Sequence, residues 1–421
     1  MSFVFLISYL ICVIIRPQDW VPGFMGISLI HILATLTFIF LAVEQFSQKK
    51  LGVAKVPQNL LILGLYFCII MSHVVNTYLG GMIEAFNSFF VIFVLFFILL
   101  NGANNELKFK ISVWVMVIVI TVLVFQGMYQ IQNGYGWAGQ DLTIQGLERE
   151  EPFKRINWIG IFNDPNDLAL LFVIGVGLVI AFLFGPRGYT LRLTSIGLLA
   201  LLLYGIYLTN SRGGVLALMA TVYFFFVKRT RKFLIGGIIG GILAFLVMVF
   251  GPSRITSISI NEASAFSRVE LWYQGILMMK SSPLFGVGYG MFTNNLPQTA
   301  HNSFILAGAE LGLLGLFFWM SLIYSSYKGL SIVQANDSRL YSFALGLQSS
   351  LVGFCAAAFF LSRTYVILPF ILFALSGAAM YVAQQKNPNL NFKFTRKDMW
   401  MTVWLSLGSL LSSYMIIKLG L

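Results

Sequence analysis

The feature that most constrains this chain is a succession of long apolar runs separated by short polar segments. Most runs are about 17–23 residues long, which is the length an α-helix needs to cross a bilayer. Of the 421 residues 58% are hydrophobic and 10% are charged, whereas soluble domains carry about 25% charged residues. A transmembrane β-barrel would instead show alternating strands of about ten residues. The sequence therefore predicts an all-α, polytopic transmembrane helical bundle, with residues 1–421 forming a single membrane domain.

The runs predict about 12–13 membrane-spanning helices. The first run is short, but it lacks the basic segment and the small-residue cleavage site of a secretory signal peptide. The predicted spans are 3–15, 27–46, 59–79, 85–101, 111–131, 167–185, 191–209, 213–228, 233–250, 303–325, 339–361, 364–384 and 399–418.

Lys and Arg are distributed unequally between the connecting segments. If the N-terminus is cytoplasmic, most of the 27 positively charged residues, including the cluster at 228–232, fall in cytoplasmic loops. Cytoplasmic loops are enriched in these residues. We therefore expect the net charge of +12 to reflect topology rather than nucleic-acid binding. The loops at 132–166 and 251–303 should then face the opposite side.

The longest polar segment, 251–303, is predicted to be a large outward-facing loop that contains short amphipathic helices. Ser267 and Glu270 have the spacing of a capping box, which places Arg268 in the first turn of a helix that ends before Pro283. One face of this helix would carry Val269, Trp272, Tyr273, Ile276 and Met279 or Lys280.

Gly286, Gly288 and Gly290 follow this helix. Because no strand precedes them, they do not form a dinucleotide-binding fingerprint. We interpret them as a hinge or as a site of close backbone approach.

The segment 209–214 joins two spans almost without a loop. Asn210 or Ser211 can cap the second helix, so Arg212 falls in its first turn. The helix dipole disfavours a cation in the first turn. An anionic ligand bound both by Arg212 and by the unpaired N–H groups of that turn would explain the position of the arginine. The alternative is an arginine that extends to the membrane interface. Arg212 and Arg268, each at a helix N-terminus, would suit a diphosphate group.

Residues 163–167, Asn-Asp-Pro-Asn-Asp, open the next predicted span. Asn and Asp accept hydrogen bonds from the first backbone N–H groups of a helix, and Pro suits the first turn. A helix cap is the simplest interpretation. The alternatives are oxygen ligands for a hard cation and a polar lining of a site.

His301 precedes Asn302 and Ser303, which can cap the following span. With an ordinary pKa of about 6.5, a neutral imidazole can accept a proton near neutral pH, although a lone histidine is more often structural. If the helix is regular, Glu310 lies on the face opposite to His301. We expect the Glu310 carboxylate to form an ion pair, with Arg212 or Arg363 as candidates. His31 and His73 have no partner motif and are interpreted as structural.

Three stretches together resemble the O-antigen ligase and O-antigen polymerase superfamily of bacterial inner membranes. The first begins at Arg155 and reads RINWIGIFNDPNDLAL, and the second is NSRGG at 210–214. The third is SRVELWYQGILMMKSSPLFGVGYGMF followed by AHNSFILAGAELGLLG. Asp164 departs from the pattern of this superfamily.

The resemblance implies a glycosyltransferase that moves a glycan from undecaprenyl diphosphate to an acceptor hydroxyl, without a metal or cofactor, at the periplasmic face of the inner membrane. The expected acceptor is lipid A-core, as for an O-antigen ligase; O-antigen polymerase and protein O-glycan ligase are the alternatives. His301 would deprotonate the acceptor. Arg212, Arg268 and Arg155 would hold the diphosphate, and the supporting residues would be Asn166, Asn302, Glu310 and Ser211.

Two other classes of protein remain open. A transporter or flippase of lipid-linked glycans would have two repeated halves with broken helices at the membrane midplane, and we find no such duplication. A non-catalytic scaffold for polysaccharide assembly would not need His301.

Overall fold

The computed structural model describes residues 1–47, 54–145, 152–185, 188–250, 263–390 and 392–420. The described part is almost entirely helical. A small antiparallel sheet pairs β1 (Thr143–Gln145) with β2 (Phe153–Arg155). The helices are α1 Ser2–Ile15, α2 Leu29–Ser47, α3 Gln58–Val74, α4 Leu79–Gly102, α5 Glu106–Asn133, α6 Pro165–Leu183, α7 Tyr189–Thr209, α8 Arg212–Thr230, α9 Phe233–Phe250, α10 Ala263–Ser281, α11 Phe292–Asn295, α12 Ser303–Asn336, α13 Tyr341–Ala358, α14 Ile367–Lys386 and α15 Arg396–Gly420.

Each predicted span corresponds to one of these helices. In the described residues, 10 helices are long and apolar enough to cross a membrane, and α1, α3 and part of α9 form shorter apolar helices. The prediction of a polytopic all-α membrane protein is therefore confirmed. The largest error in length is at α12, which continues to Asn336 and has 34 residues, whereas the prediction ended it at 325.

The helices divide into a central and a peripheral group. In the most apolar 18-residue segment of α6, 89% of the residues are buried, whereas in that of α2 17% are buried. The peripheral helices expose large apolar side chains such as Phe46 on α2 and Trp404 on α15. An apolar exterior is what a bundle needs where its surface meets lipid.

Charged residues collect at the two ends of the bundle. At one end, which we call the basic end, Lys108 pairs with Glu44 at 3.1 Å and Lys328 pairs with Asp398 at 2.6 Å. The opposite end, which we call the site end, holds the residues described in the next subsection. The separation follows the uneven distribution of Lys and Arg along the sequence; which side of the membrane each end faces stays a prediction.

Helix α12 is interrupted at Gly312, whose φ is 67° and ψ is −169°. Beside the break lies the segment 283–291, which we call the glycine loop. The carbonyls of Ala309 and Glu310 accept hydrogen bonds from the N–H groups of Val287 and Gly288, at 2.9 and 3.1 Å. The loop thus satisfies backbone groups that the broken helix leaves unpaired.

The glycine loop is held on its other side by the end of α3. The hydroxyl of Ser72 accepts from the N–H of Tyr289 at 3.0 Å, and Asn76 Nδ2 donates to the carbonyl of Gly286 at 2.8 Å. His73 Nε2 lies 3.0 Å from the carbonyl oxygen of Tyr289, so the structural interpretation of His73 fits its position. Gly286 has a φ of 68°, and a Cβ there would meet the backbone of Glu310. The glycines therefore serve a close backbone approach.

Helix α10 corrects one prediction. It begins at Ala263, four residues before Ser267, so Ser267 does not cap it and Arg268 lies in the second turn rather than the first. The buried face carries Leu271, Trp272 and Ile276, which pack against α12 and α15, whereas Tyr273 is exposed. The helix ends at Ser281, before Pro283, as predicted.

Candidate active site

The N-terminus of α12 carries the predicted base. Asn302 caps this helix: its Oδ1 accepts from the N–H groups of Phe304 and Ile305 at 2.9 and 3.1 Å. His301, immediately before the cap, has a left-handed backbone with φ of 49°. Such a conformation costs a residue with a Cβ roughly 1–3 kcal/mol and is concentrated at functional sites.

His301 is partly buried among charged groups. Burial lowers the pKa of its imidazole, and the positive charges of Arg268 and Arg363 lower it further, while the negative charge of Asp164 acts in the opposite direction. A lowered pKa leaves the imidazole neutral over more of the pH range. His301 therefore has the protonation state that a general base requires.

Ser303, the first residue of α12, is bound by the segment 359–366, which we call the arginine loop. The Ser303 hydroxyl accepts from the N–H of Arg363 at 2.7 Å and donates to the carbonyl of Leu361 at 2.6 Å. The hydroxyl of Thr364 donates to the carbonyl of Ser303 at 2.9 Å. The arginine loop is thus fixed to the residue two positions after His301.

Arg363 connects this helix end to the start of α6. Its guanidinium binds both carboxylate oxygens of Asp167, with Nη2 at 2.6 Å from Oδ2, and Nη2 also lies 3.5 Å from Asp164 Oδ2. Sequence reasoning named Arg363 only as a candidate partner for Glu310 and did not place it beside His301. The available signal was a charged residue between two apolar spans, which is rare without a function.

Asp164 is the N-cap of α6, accepting from the N–H of Asn166 at 2.8 Å. The helix cap predicted for residues 163–167 is therefore confirmed. Asn166 connects three side chains by hydrogen bonds. Its Oδ1 accepts from Arg155 Nη2 at 2.9 Å and from the Ser211 hydroxyl at 2.7 Å, while its Nδ2 donates to Asp164 Oδ1 at 2.9 Å.

Ser211 also caps α8, since its hydroxyl oxygen accepts from the N–H of Gly214 at 3.1 Å. Arg212 is the first residue of that helix, as predicted. Gly213 has open space where a Cβ would lie, whereas Gly214 packs closely against Ala169 of α6. The start of α8 therefore places Arg212 beside Gly213, a position without a side chain.

Arg155 is 1% exposed. Its Nε donates to the carbonyl of Thr209 at 2.9 Å, and Nη1 donates to Gln145 Oε1 at 3.1 Å. Together with its bond to Asn166, these contacts tie strand β2 to the junction of α7 and α8. In this arrangement Arg155 positions the polar cluster; its predicted contact with a diphosphate stays a prediction.

Glu310 is 2% exposed and lies beside the glycine loop. Its Oε1 accepts from the N–H of Phe292 at 3.0 Å. Arg363 is engaged with Asp167, so the expected ion pair of Glu310 with Arg363 is wrong, and the described contacts of the carboxylate do not include Arg212. The backbone N–H of Phe292, immediately after the glycine loop, donates to the carboxylate instead.

Two tyrosines adjoin this carboxylate. The rings of Tyr289 and Tyr365 lie 4.7 Å apart. Burial and the negative charge of Glu310 raise the pKa of Tyr289 to about 12 and that of Tyr365 well above its usual value. Both phenols therefore stay neutral near Glu310.

Taken together, the site end brings His301, Arg268, Arg363 and Asp164 into one charged neighbourhood. The cluster of Asn166, Ser211 and Arg155 joins it through Asp164. The arrangement can accept a proton at one place and neutralise an anion beside it. No group of three or more His, Cys, Asp or Glu side chains able to hold a metal ion occurs in the described part of the chain.

Comparison with known proteins supports the resemblance seen in the sequence. Residues 196–320 match a family model described as O-Antigen ligase, and this region contains Arg212, Arg268, His301 and Glu310. The chain is 26% identical over 204 residues to the exopolysaccharide production protein ExoQ of Rhizobium meliloti. That match spans 41% of this chain and 46% of the relative, so less than half of the relative's length is covered. The chain is thus a multi-pass membrane protein in which residues 196–320 are similar to the O-antigen ligase family.

Proposed function

We propose that this protein is a membrane glycosyltransferase that moves a glycan from undecaprenyl diphosphate to an acceptor hydroxyl. The observation that carries the proposal is the position of His301, a partly buried base with a lowered pKa, beside Arg268 and Arg363. The similarity of residues 196–320 to the O-antigen ligase family supports the same class of reaction. We further propose that the site end faces the periplasm, on the basis of the Lys and Arg distribution.

The reaction is a single displacement at the anomeric carbon. His301 accepts the proton of the acceptor hydroxyl while that oxygen forms a bond to the anomeric carbon. The bond between the anomeric carbon and the diphosphate oxygen breaks, and undecaprenyl diphosphate leaves as an anion. Arg212 and Arg268 stabilise the negative charge that develops on the leaving group. Inversion at the anomeric carbon follows from one displacement.

The preferred acceptor is lipid A-core, in keeping with the description of the matching family. A second acceptor, a growing polysaccharide, is favoured by the name of the relative, which refers to exopolysaccharide production. The shared motifs serve both acceptors, because the base and the diphosphate-binding groups act on the donor and on any hydroxyl placed next to it.

A transporter of lipid-linked glycans remains the alternative from another class. It predicts paired helix breaks related by an internal repeat. Among the described helices, α12 has a non-helical residue, Gly312, in its interior. The glycine loop forms backbone hydrogen bonds with α12 at this break. This feature favours a fixed site over a moving gate.

The first test is transfer by the purified protein in lipid nanodiscs, with a glycan linked to undecaprenyl diphosphate as donor. His301→Ala should lose transfer by at least about 100-fold, since general bases contribute roughly 10²–10⁴-fold. His31→Ala is the matched control, because His31 is an exposed residue of α2, and it should transfer normally. Transfer by His301→Ala at the wild-type rate would rule out the assigned base.

The acceptor is identified by the glycans of a deletion strain. Lipid A-core without glycan, together with accumulated lipid-linked polymer, would identify a ligase. Lipid A-core with a single repeat would identify a polymerase. Unchanged lipopolysaccharide with loss of another polysaccharide would support the exopolysaccharide alternative.

A further inference from the structure

The ion pair between Arg363 and Asp167 is largely enclosed. The side chain of Asp167 is 7% exposed and that of Arg363 is 19% exposed. Two donor nitrogens of the guanidinium bind two oxygens of the carboxylate. A two-point contact of this kind fixes the relative orientation of its partners, whereas a lysine supplies only a point charge.

This pair lies in a series of polar contacts that runs from Ser303, two residues after the proposed base, to the start of α8. On one side, the backbone N–H of Arg363 binds Ser303, two residues after His301. On the other side, Asp167 and Asp164 belong to the first turn and cap of α6, where Asp164 binds Asn166. Asn166 binds Ser211, the residue before Arg212. Segments that are far apart in the sequence are thus linked through polar side chains.

We propose that Arg363 is a positioning residue of the transfer reaction. Its ion pair with Asp167 fixes the position of His301 relative to the start of α8, where the diphosphate binds. This inference rests on the proposed function. The base must reach the acceptor hydroxyl while the arginine meets the leaving group, so the distance between them is part of the chemistry. A displacement of about 1 Å in such a geometry costs roughly 100-fold in rate.

Arg363 also acts on the base through its charge. The charged groups that face His301 are Arg268 on α10, Arg363 on the arginine loop and Asp164 at the cap of α6. Both arginines lower the pKa of His301, so neutralising Arg363 raises that pKa. The acidic limb of the pH–rate profile should then move to higher pH. Breaking the ion pair while keeping the charge of Arg363 should instead lower the rate without this shift.

The test compares Arg363→Lys, Arg363→Gln and Asp167→Asn with wild-type protein in the nanodisc transfer assay, over a pH series. The control is Asp398→Asn, which breaks the pair between the buried Asp398 and the partly exposed Lys328 at the basic end. All rates are expressed per folded molecule, measured by size-exclusion chromatography in detergent. Arg363→Lys is the mildest change at the site and serves if Asp167→Asn does not fold.

We expect Arg363→Lys and Asp167→Asn to lower kcat at least about tenfold with little change in the KM for the donor, as misalignment predicts. Arg363→Gln should also move the acidic limb upward, and Asp398→Asn should keep both kcat and the limb. Unchanged kcat per folded molecule in Arg363→Lys, or an equal loss in Asp398→Asn, would show that the pair only stabilises the fold. Absence of transfer by wild-type protein, or normal transfer by His301→Ala, would instead overturn the proposed function, and this inference with it.

Discussion

The two ends of the bundle both pair charges, but they use different cations in different surroundings. At the basic end lysines predominate, and pairs such as Lys110 with Glu106 are a quarter or more exposed. At the site end arginines predominate, and Arg155 and the Arg363–Asp167 pair are largely buried. A lysine needs only an accessible carboxylate, whereas a buried arginine needs several acceptors in fixed places. The basic end therefore tolerates imprecise geometry, and the site end does not.

The largest difference in stability and activity is expected between two glycine substitutions. Gly286→Val places a branched side chain at a φ of 68° and against the backbone of Glu310. The left-handed backbone alone costs about 1–2 kcal/mol, and displacing the glycine loop exposes backbone groups of α12 within the membrane. We expect at least about 3 kcal/mol of destabilisation and no detectable transfer.

The matched change is Gly408→Ala in α15, where, apart from the adjacent helix backbone, no described atom lies within 4 Å of the added Cβ. Alanine favours a helix over glycine by up to about 1 kcal/mol, so this variant should unfold at an equal or higher temperature. Thermal unfolding in detergent, followed by tryptophan fluorescence, measures both. Equal stability of the two variants would contradict the fixed position of the glycine loop.

A smaller difference in stability is expected when one cationic side chain is removed at each end. Arg155→Ala removes the donor to the carbonyl of Thr209 and one of the two donors to Asn166 Oδ1, where Ser211 remains. Leaving a buried acceptor without its donor costs about 1–3 kcal/mol. Lys110→Ala removes a partly exposed pair and should cost less than about 1 kcal/mol. Urea or thermal unfolding of the two proteins gives the comparison, and a similar loss in both would mean that burial does not separate the two ends.

The smallest difference in stability is expected for helix caps. Ser211 caps α8 at the site end, and Asn105 caps α5 at the basic end by accepting from the N–H of Lys108. Replacing either with Ala should cost about 1 kcal/mol. Only Ser211→Ala should also lower transfer, because it removes the bond to Asn166. Transfer lowered equally by Asn105→Ala would show that cap loss acts through stability alone.

The fold was largely predictable because membrane spans are encoded locally. An apolar run of the right length forms a helix with its own backbone hydrogen bonds, whatever lies beside it. The helix boundary at α10 was missed because Ser267 and Glu270 imitate a cap inside a helix. The caps at Asp164 and Asn302 were found because their side chains bind backbone groups two or three residues away.

The candidate site was predictable only in part. Position along the chain placed His301 and Arg212 at helix starts, and the structure agrees. The pairing of Arg363 with Asp167 joins residues 196 positions apart, and no local pattern indicates it. The environment of Glu310 was misjudged because the prediction expected a cationic partner, whereas the backbone N–H of Phe292 donates to this carboxylate, a contact that no local pattern indicates.

The break in α12 also determines where this chain tolerates being divided. Pro283 and Leu284 accept hydrogen bonds from the N–H groups of Leu313 and Leu314 at 2.8 and 3.3 Å, while the loop donates to Ala309 and Glu310. Two co-expressed fragments separated between 295 and 301 would each insert with backbone groups that only the other fragment satisfies. A cut at 337–340, in the connection between α12 and α13, separates complete helices. Reassembly of active protein should therefore succeed from the second pair of fragments and fail from the first.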